Sequence, residues 1–247
     1  MKLLEFPHSH YCEKARWALD FKKIPFQVVT ILPGIHLWTV RRYAPGTSVP
    51  VLLSDDQVIQ GSSKIIDFVE NHSPAYALTP KDDEERLECL NLEKEMDIKL
   101  GLPIRQVLYH RLIAYPSFIR FCFTHSLSAV KQLAFRMYYP VLRKKIYQVY
   151  VISDAEVEKA KSEFNTSMDT LAEMLTGKDY LFGDRFSRAD LTVSSMLSFL
   201  VMPEQHPFPW PDIPDFEIRT IQNSYSDHPV CIWVRKMYET HRLVESS

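Results

Sequence analysis

The step from Lys2-Leu3-Leu4-Glu5-Phe6 into Ser9-His10-Tyr11-Cys12-Glu13-Lys14-Ala15-Arg16-Trp17-Ala18-Leu19 constrains the fold more than any other stretch. The first run is a short apolar strand that stops at Pro7, and the second places Tyr11, Ala15, Ala18 and Leu19 at helical spacing. Ser9 stands at the junction. A serine just before an apolar-periodic run, with Glu13 in the first turn, reads as a helix N-cap. The helix it opens offers free backbone N–H groups and a partial positive charge. A thiolate seated there has its pKa lowered and stays nucleophilic near neutral pH. Taken alone, the same serine is an ordinary capping residue.

The next elements follow from their punctuation. Ile24-Pro25-Phe26-Gln27-Val28-Val29-Thr30-Ile31 is a β-rich run entered at a proline, and a short helix over 35–43 follows Pro33-Gly34. Val51-Leu52-Leu53, Asp55-Asp56 and Gln57-Val58-Ile59 form a tight hairpin, and Ser62 opens a helix with Ile65, Ile66, Phe68 and Val69 on its apolar face. A polar, proline-bearing linker covers 74–81. Asp82-Asp83-Glu84-Glu85 then places acids at the positive end of a long helix, and no convincing strand follows.

At 247 residues, 46% hydrophobic and with a net charge of -2, the chain is large enough for one or two cores and gives nucleic-acid binding no support. Its four cysteines, Cys12, Cys89, Cys122 and Cys231, show no paired spacing, which points to a reducing, cytoplasmic setting and no metal. The opening strand is too short for a signal segment, and no integral membrane segment is expected.

Ser9 three residues before Cys12, Val49-Pro50 before a strand, and Ser62 before Ile65-Ile66-Asp67-Phe68 resemble, in that order, the glutathione transferase superfamily. The resemblance implies an α/β thioredoxin-like domain over 1–73, the linker 74–81 and an all-α domain over 82–247. It also implies a cis Val49-Pro50 bond, glutathione as co-substrate, a small hydrophobic electrophile as its partner and Ser9 as the hydroxyl facing the thiolate. Val49, Pro50, Ser62 and Ser63 would hold the tripeptide, with His36, ahead of Trp38, Arg41 and Arg42, near its glycine carboxylate. Tyr11 is the fallback donor. A homodimer through the helices near Ile65 and Leu87 is implied as well.

Two departures from the family pattern bear on affinity. Ala44-Pro45-Gly46-Thr47 replaces the usual Asn-Pro-x-Gly, and Gly61 stands where an acidic residue or glutamine holds the γ-glutamyl amino group. That group then needs Gln60 or a residue of a second subunit.

In the second half, Ser153 before Asp154-Ala155-Glu156 opens a helix to about Leu175. Ser187-Arg188-Ala189-Asp190 resembles the family's second-domain capping box, in which Ser187 and Asp190 satisfy each other's backbone N–H groups in a folding role. Leu191 to Val201 reads as one core helix, two closing helices follow, and the tail 245–247 reads as frayed. Between Asp97 and Asp154 there is no acidic residue, while nine lysines and arginines alternate with ten aromatic residues. Proline at 103, 116 and 140 predicts two or three helices there. The stretch is either core plus charge compensation for the acid-rich helix that follows, or an enlarged electrophile pocket with a surface attracted to acidic membranes or partners.

Three functions are consistent with these residues: a glutathione transferase acting through Ser9; a thiol oxidoreductase acting through Cys12, the second position of a Cys-x-x-Cys whose first is Ser9; and a non-catalytic binding or scaffold module that keeps the fold.

Overall fold

Leu3, Leu4 and Glu5 are all buried, so β1 (Lys2–Glu5) is covered on both faces, as an interior strand must be. It sits inside a four-stranded sheet of order β2-β1-β3-β4, with β2 (Gln27–Thr30) parallel to it and β3 (Val51–Leu53) antiparallel. The hairpin partner β4 (Val58–Gln60) closes the sheet, its turn held by the Ser54 N–H on the Gln57 carbonyl at 2.9 Å. The computed structural model describes residues 1–150 and 153–242, so the expected frayed tail 245–247 lies outside the described residues.

Three helices accompany the sheet: α1 (His10–Phe21), α2 (His36–Arg41) and α3 (Ser62–His72). The chain after residue 82 is helical: α4 (Asp83–Lys99), α5 (Gly101–Leu112), α6 (Pro116–Thr124), α7 (Ala129–Tyr150), α8 (Asp154–Met174), α9 (Arg188–Met196), α10 (Ser198–Val201), α11 (Phe216–Ser224) and α12 (Pro229–His241). Local chemistry starts several of them. Asp82 accepts from the Glu84 and Glu85 N–H groups, and Ser153 with Glu156 forms a reciprocal capping box. Ser187 and Asp190 form a second box wholly inside the protein, where Asp190 also accepts the Leu181 N–H at 2.8 Å.

One apolar cluster runs from Leu3, Trp17 and Leu52 to Met96, Leu191 and Tyr238, so the sheet and the later helices share a core. Within that core α1 carries ions. Lys14 is fully buried against Glu93 at 2.8 Å, Asp97 at 2.7 Å and the Ser63 hydroxyl at 3.1 Å. Arg16 pairs with Glu5 and Glu13, and Arg242 reaches Glu13 from beyond α12. The helix that carries Ser9 is therefore pinned by charge to β1, α4 and the end of α12.

Three expectations are corrected. The second strand begins at Gln27, because the Ile24 N–H closes α1 on the Leu19 carbonyl and is lost to the ladder. Pro140 lies inside α7 instead of ending it, the helix being held to the core through Phe135, Tyr139, Leu142 and Ile146 on both sides of the proline. The helix expected over 191–201 breaks at Leu197, whose backbone leaves the helical region, and Met202 ends the second piece in the left-handed conformation.

Candidate functional site

The register brings the carboxyl ends of β1, β2 and β4 and the amino end of β3 to one edge of the sheet. The Ile31 N–H donates to the Glu5 carbonyl at 3.1 Å and the Gly61 N–H to the Pro50 carbonyl at 3.0 Å. Residues 6–9, 31–36, 49–50 and 60–63 consequently leave from the same end, and the amino termini of α1 and α3 open there.

Ser9 is half-buried and takes the extended conformation of an N-cap, its carbonyl accepting the Glu13 N–H at 2.8 Å. Its hydroxyl makes no capping bond and lies against the Cys12 thiol, which it favours toward the thiolate. The first N–H groups of α1 are thus left for a ligand.

Val49-Pro50 is cis. Among the described residues neither the N–H nor the carbonyl of Val49 has a hydrogen-bond partner, so one extended residue presents a free donor and acceptor to a peptide. The loop before it is braced by Gln60, whose amide oxygen accepts the Gly46 N–H at 3.1 Å and whose nitrogen donates to the Ser48 carbonyl at 2.9 Å. Gln60 is turned to the loop, and its amide is used at both ends.

Gly61, not Ser62, is the N-cap of α3. Its φ of +102° is a conformation that side chains rarely adopt, which accounts for glycine at this position. Ser62 is the first helical residue and is buried, while the Ser63 hydroxyl accepts from Lys14 and donates to Asp97 at 3.1 Å. The α3 terminus therefore offers the Ser62 hydroxyl and backbone N–H groups to an anion, with Lys14 behind it.

His36 is half-buried at the start of α2, its Nδ1 accepting the Gly34 N–H at 2.9 Å and its ring edge-on to Phe6 at 5.0 Å. Burial holds its pKa below the ordinary histidine value. Trp38, Arg41 and Arg42 are exposed.

The facing wall is aromatic. Phe6 meets Phe123 edge-on at 5.3 Å, and His8, which the sequence reading did not single out, meets Phe123 at 4.5 Å. The His8 Nδ1 is 3.0 Å from the Cys122 carbonyl and its Nε2 3.4 Å from the Tyr109 hydroxyl, and burial lowers its pKa to about 4. Tyr138 of α7 closes over the loop before α2, so near that a Cβ on Gly34 would come 2.5 Å from the tyrosine hydroxyl. His8 was legible only as the residue before Ser9. The aromatic stretch did supply Tyr109, Phe123 and Tyr138.

Comparison with known proteins identifies the family to which this architecture belongs. Residues 3–77 match the family model for the glutathione S-transferase N-terminal domain and residues 154–218 that for the C-terminal domain. The chain belongs to the glutathione transferase superfamily. It is 31% identical over 105 residues to a glutathione S-transferase of Pseudomonas putida, a match covering 42% of this chain and 47% of the relative, so it spans about half the length of that protein. Solved structures of the same fold include a glutathione S-transferase of Methylobacterium radiotolerans in complex with glutathione sulfonate. It is 19% identical, with a TM-score of 0.57 over 100% of this chain and 96% of that one. The beta-etherase LigF of a Sphingobium species is 18% identical, with a TM-score of 0.64 over 96% and 98%.

Within this transferase fold, Tyr11 and Cys12 do not face the site. The Tyr11 hydroxyl donates to the Asp97 carbonyl at 2.6 Å, and burial pushes its pKa up to about 12. Cys12 has no exposed surface, and burial, reinforced by the Glu5 carboxylate, pushes its thiol up to about 12. A redox cysteine needs access and thiolate character, and Cys12 has neither. Ile65 is fully buried in the core and Leu87 is exposed.

A groove of about 960 Å³ lies between α3 and α4, lined by Asp67, Lys94, Asp97 and Arg188 among others. Arg188 pairs there with Asp67 and Glu93, so its strongest charges answer each other. It shares Ser63 and Asp97 with the α3 terminus described above. Among the described residues no cluster of three or more His, Cys, Asp or Glu is placed to hold a metal ion, and no helix is long and apolar enough to cross a membrane.

Proposed function

We propose that this chain is a glutathione transferase in which Ser9 donates a hydrogen bond to the glutathione thiolate while the tripeptide backbone pairs with Val49 and its γ-glutamyl carboxylate sits on the amino end of α3. The observation that carries this reading is the convergence at one sheet edge of an uncapped Ser9 hydroxyl, the unpaired backbone of Val49 and the open start of α3. The thiol proton leaves to solvent. The sulfur then forms a bond to an electrophilic carbon, and the leaving group departs with the electron pair of the bond that breaks. Phe6, Phe123 and Tyr138 favour an apolar or aromatic electrophile.

The γ-glutamyl amino group has no acidic partner at Gly61, and Gln60 is spent on its loop. A homodimer in which a second subunit faces that group completes the reading, and glutathione affinity is modest without it. A calorimetric titration with glutathione, followed by conjugation of a reactive aryl halide, tests the proposal. Saturable binding with thioether formation is the expected result, and a chain that neither binds nor conjugates is not a transferase.

The same two residues favour a second reading, a binding module that keeps the fold without the chemistry. A chain that passes immobilised glutathione unretained and turns over no aryl halide or epoxide would select it.

A further inference from the structure

α7 is apolar on two opposite sides. At about 100° per residue, Phe135, Tyr139, Leu142 and Ile146 point roughly opposite to Met137, and all four are buried. The outer crest is formed by Val130, Leu133, Met137 and Val141, at the spacing of one helical stripe, and these are 78%, 60%, 76% and 59% exposed. A helix apolar on both sides is ordinarily buried on both.

Five exposed cations frame the crest. Arg136 and Arg143 lie along one flank, Lys131 and Lys145 along the other, and Lys144 closes the line beyond Val141. Among the described residues none of the five is paired with a carboxylate, and the sequence has no acid from residue 98 to residue 153.

We propose that the outer crest of α7 docks on the surface of an anionic phospholipid bilayer, with Val130, Leu133, Met137 and Val141 among the acyl chains and the flanking lysines and arginines on the lipid phosphates. Three features choose this occupant. The crest is one outer face of a single helix, exposed at four positions over three turns, which suits a plane. Its charged groups are all cations on flexible stems, which reach headgroups from either flank. A second copy of the chain would bring five cations against five with no acid between them.

Docking also sets the electrophile wall at the bilayer boundary, since Tyr138 on the inner edge of the same helix covers Gly34 at the site. The inference does not rest on transferase chemistry, and its test reads none.

The test is flotation of the full chain with phosphatidylcholine vesicles, either pure or with about one part in four phosphatidylglycerol. The protein is expected to float with the anionic vesicles only, and to be released at about 0.5 M salt as screening shortens the reach of its charges. Replacing Lys131, Arg136, Lys144 and Lys145 by glutamine should weaken binding at least about tenfold, as should Leu133→Ser with Met137→Ser. All six positions are exposed, so unchanged thermal melting is expected of both variants. Failure to float, equal binding to neutral vesicles, or full binding by either variant would overturn the proposal. So would a wild-type dimer in ultracentrifugation that the crest variant abolishes, or binding to polyglutamate without binding to vesicles.

Discussion

The Arg242 Nε donates to the Glu13 Oε1 at 2.8 Å between residues 229 positions apart, at a point where both side chains are buried. Arg242 also reaches Asp20 at 2.7 Å, and Glu13 is shared with Arg16 at 2.9 Å. Burial pushes Glu13 toward protonation, yet the charges of Arg242 and Arg16 override it and hold its pKa at about 2. The far end of the chain thereby fixes the helix that positions Ser9.

Removing one partner leaves a buried charge without compensation, so Arg242→Ala is expected to cost about 3 kcal/mol or more. Arg242→Lys should recover only part of it, because an ammonium cannot reach Glu13 and Asp20 together in one plane. Urea unfolding measures both. A loss under about 1 kcal/mol in Arg242→Ala would show that the network is not a structural tie.

Three histidines predict sensitivity to acid well above the carboxylate range. Burial lowers His8 to about 4 and His10 and His206 to about 3, with Arg105 beside His10 adding to the effect and Glu13 beside His206 opposing it. Each folded pKa lies below the unfolded value of 6.5, so the unfolded chain binds more protons. The stability they lend is complete above pH 6.5 and is lost as pH falls toward 4 and 3. For three such groups the loss between pH 6.5 and 5.5 is about 3 kcal/mol. Glu13, depressed from 4.5 to about 2, adds a further loss below pH 4.5. Urea midpoints between pH 7.5 and 5 should fall accordingly, and His206→Asn should remove about a third of the slope. A flat profile would mean that these rings protonate in place.

Gln60 gives a prediction that separates ligand contact from loop support. Its amide holds Gly46 and Ser48, so Gln60→Ala leaves a donor and an acceptor without partners and should cost about 1 to 2 kcal/mol. Because that loop carries Val49, the glutathione KM should rise while kcat at saturation changes little. Gln60→Glu keeps the acceptor for Gly46 and loses the donor to Ser48, so it should lie between the two. If Gln60 instead held the γ-glutamyl amino group, Gln60→Glu would bind glutathione better than the parent.

What was readable from the sequence was local. Ser187 with Asp190, Ser153 with Glu156, and Asp82 before α4 act within three residues of themselves, so their spacing is enough to identify them. Ser9 at the start of α1 and the Val49-Pro50 pair were legible in the same way. The ion network of α1 was not, because Lys14, Glu13 and Arg16 meet partners as distant as Glu93 and Arg242, which spacing within one helix does not reveal. The bonds of Gln60 to Gly46 and Ser48 were not legible for a related reason: nothing in its neighbours tells whether a side chain at a strand end turns to a ligand or to the adjoining loop. In the basic aromatic stretch Phe135 and Tyr139 fill core, as one reading expects, while Val130 and Met137, two turns apart, stand in solvent.

The last prediction concerns Ser9. The hydroxyl sits at the positive end of α1, makes no capping bond and lies against the Cys12 thiol, so a sulfur anion would gain a donor that costs the fold little to redirect. Ser9→Ala should therefore leave stability within about 0.5 kcal/mol of the parent, since no capping bond is lost. It should lower kcat/KM for an aryl halide at least about tenfold, equivalent to about 1.4 kcal/mol in the barrier. The pKa of enzyme-bound glutathione, followed by thiolate absorbance across a pH series, should rise in the variant, because the helix field remains while the donor is gone. Ser9→Thr keeps the hydroxyl and should restore most of the shift. Unchanged turnover together with an unchanged thiol titration in Ser9→Ala would take the serine out of the chemistry and leave the helix terminus alone to stabilise the anion.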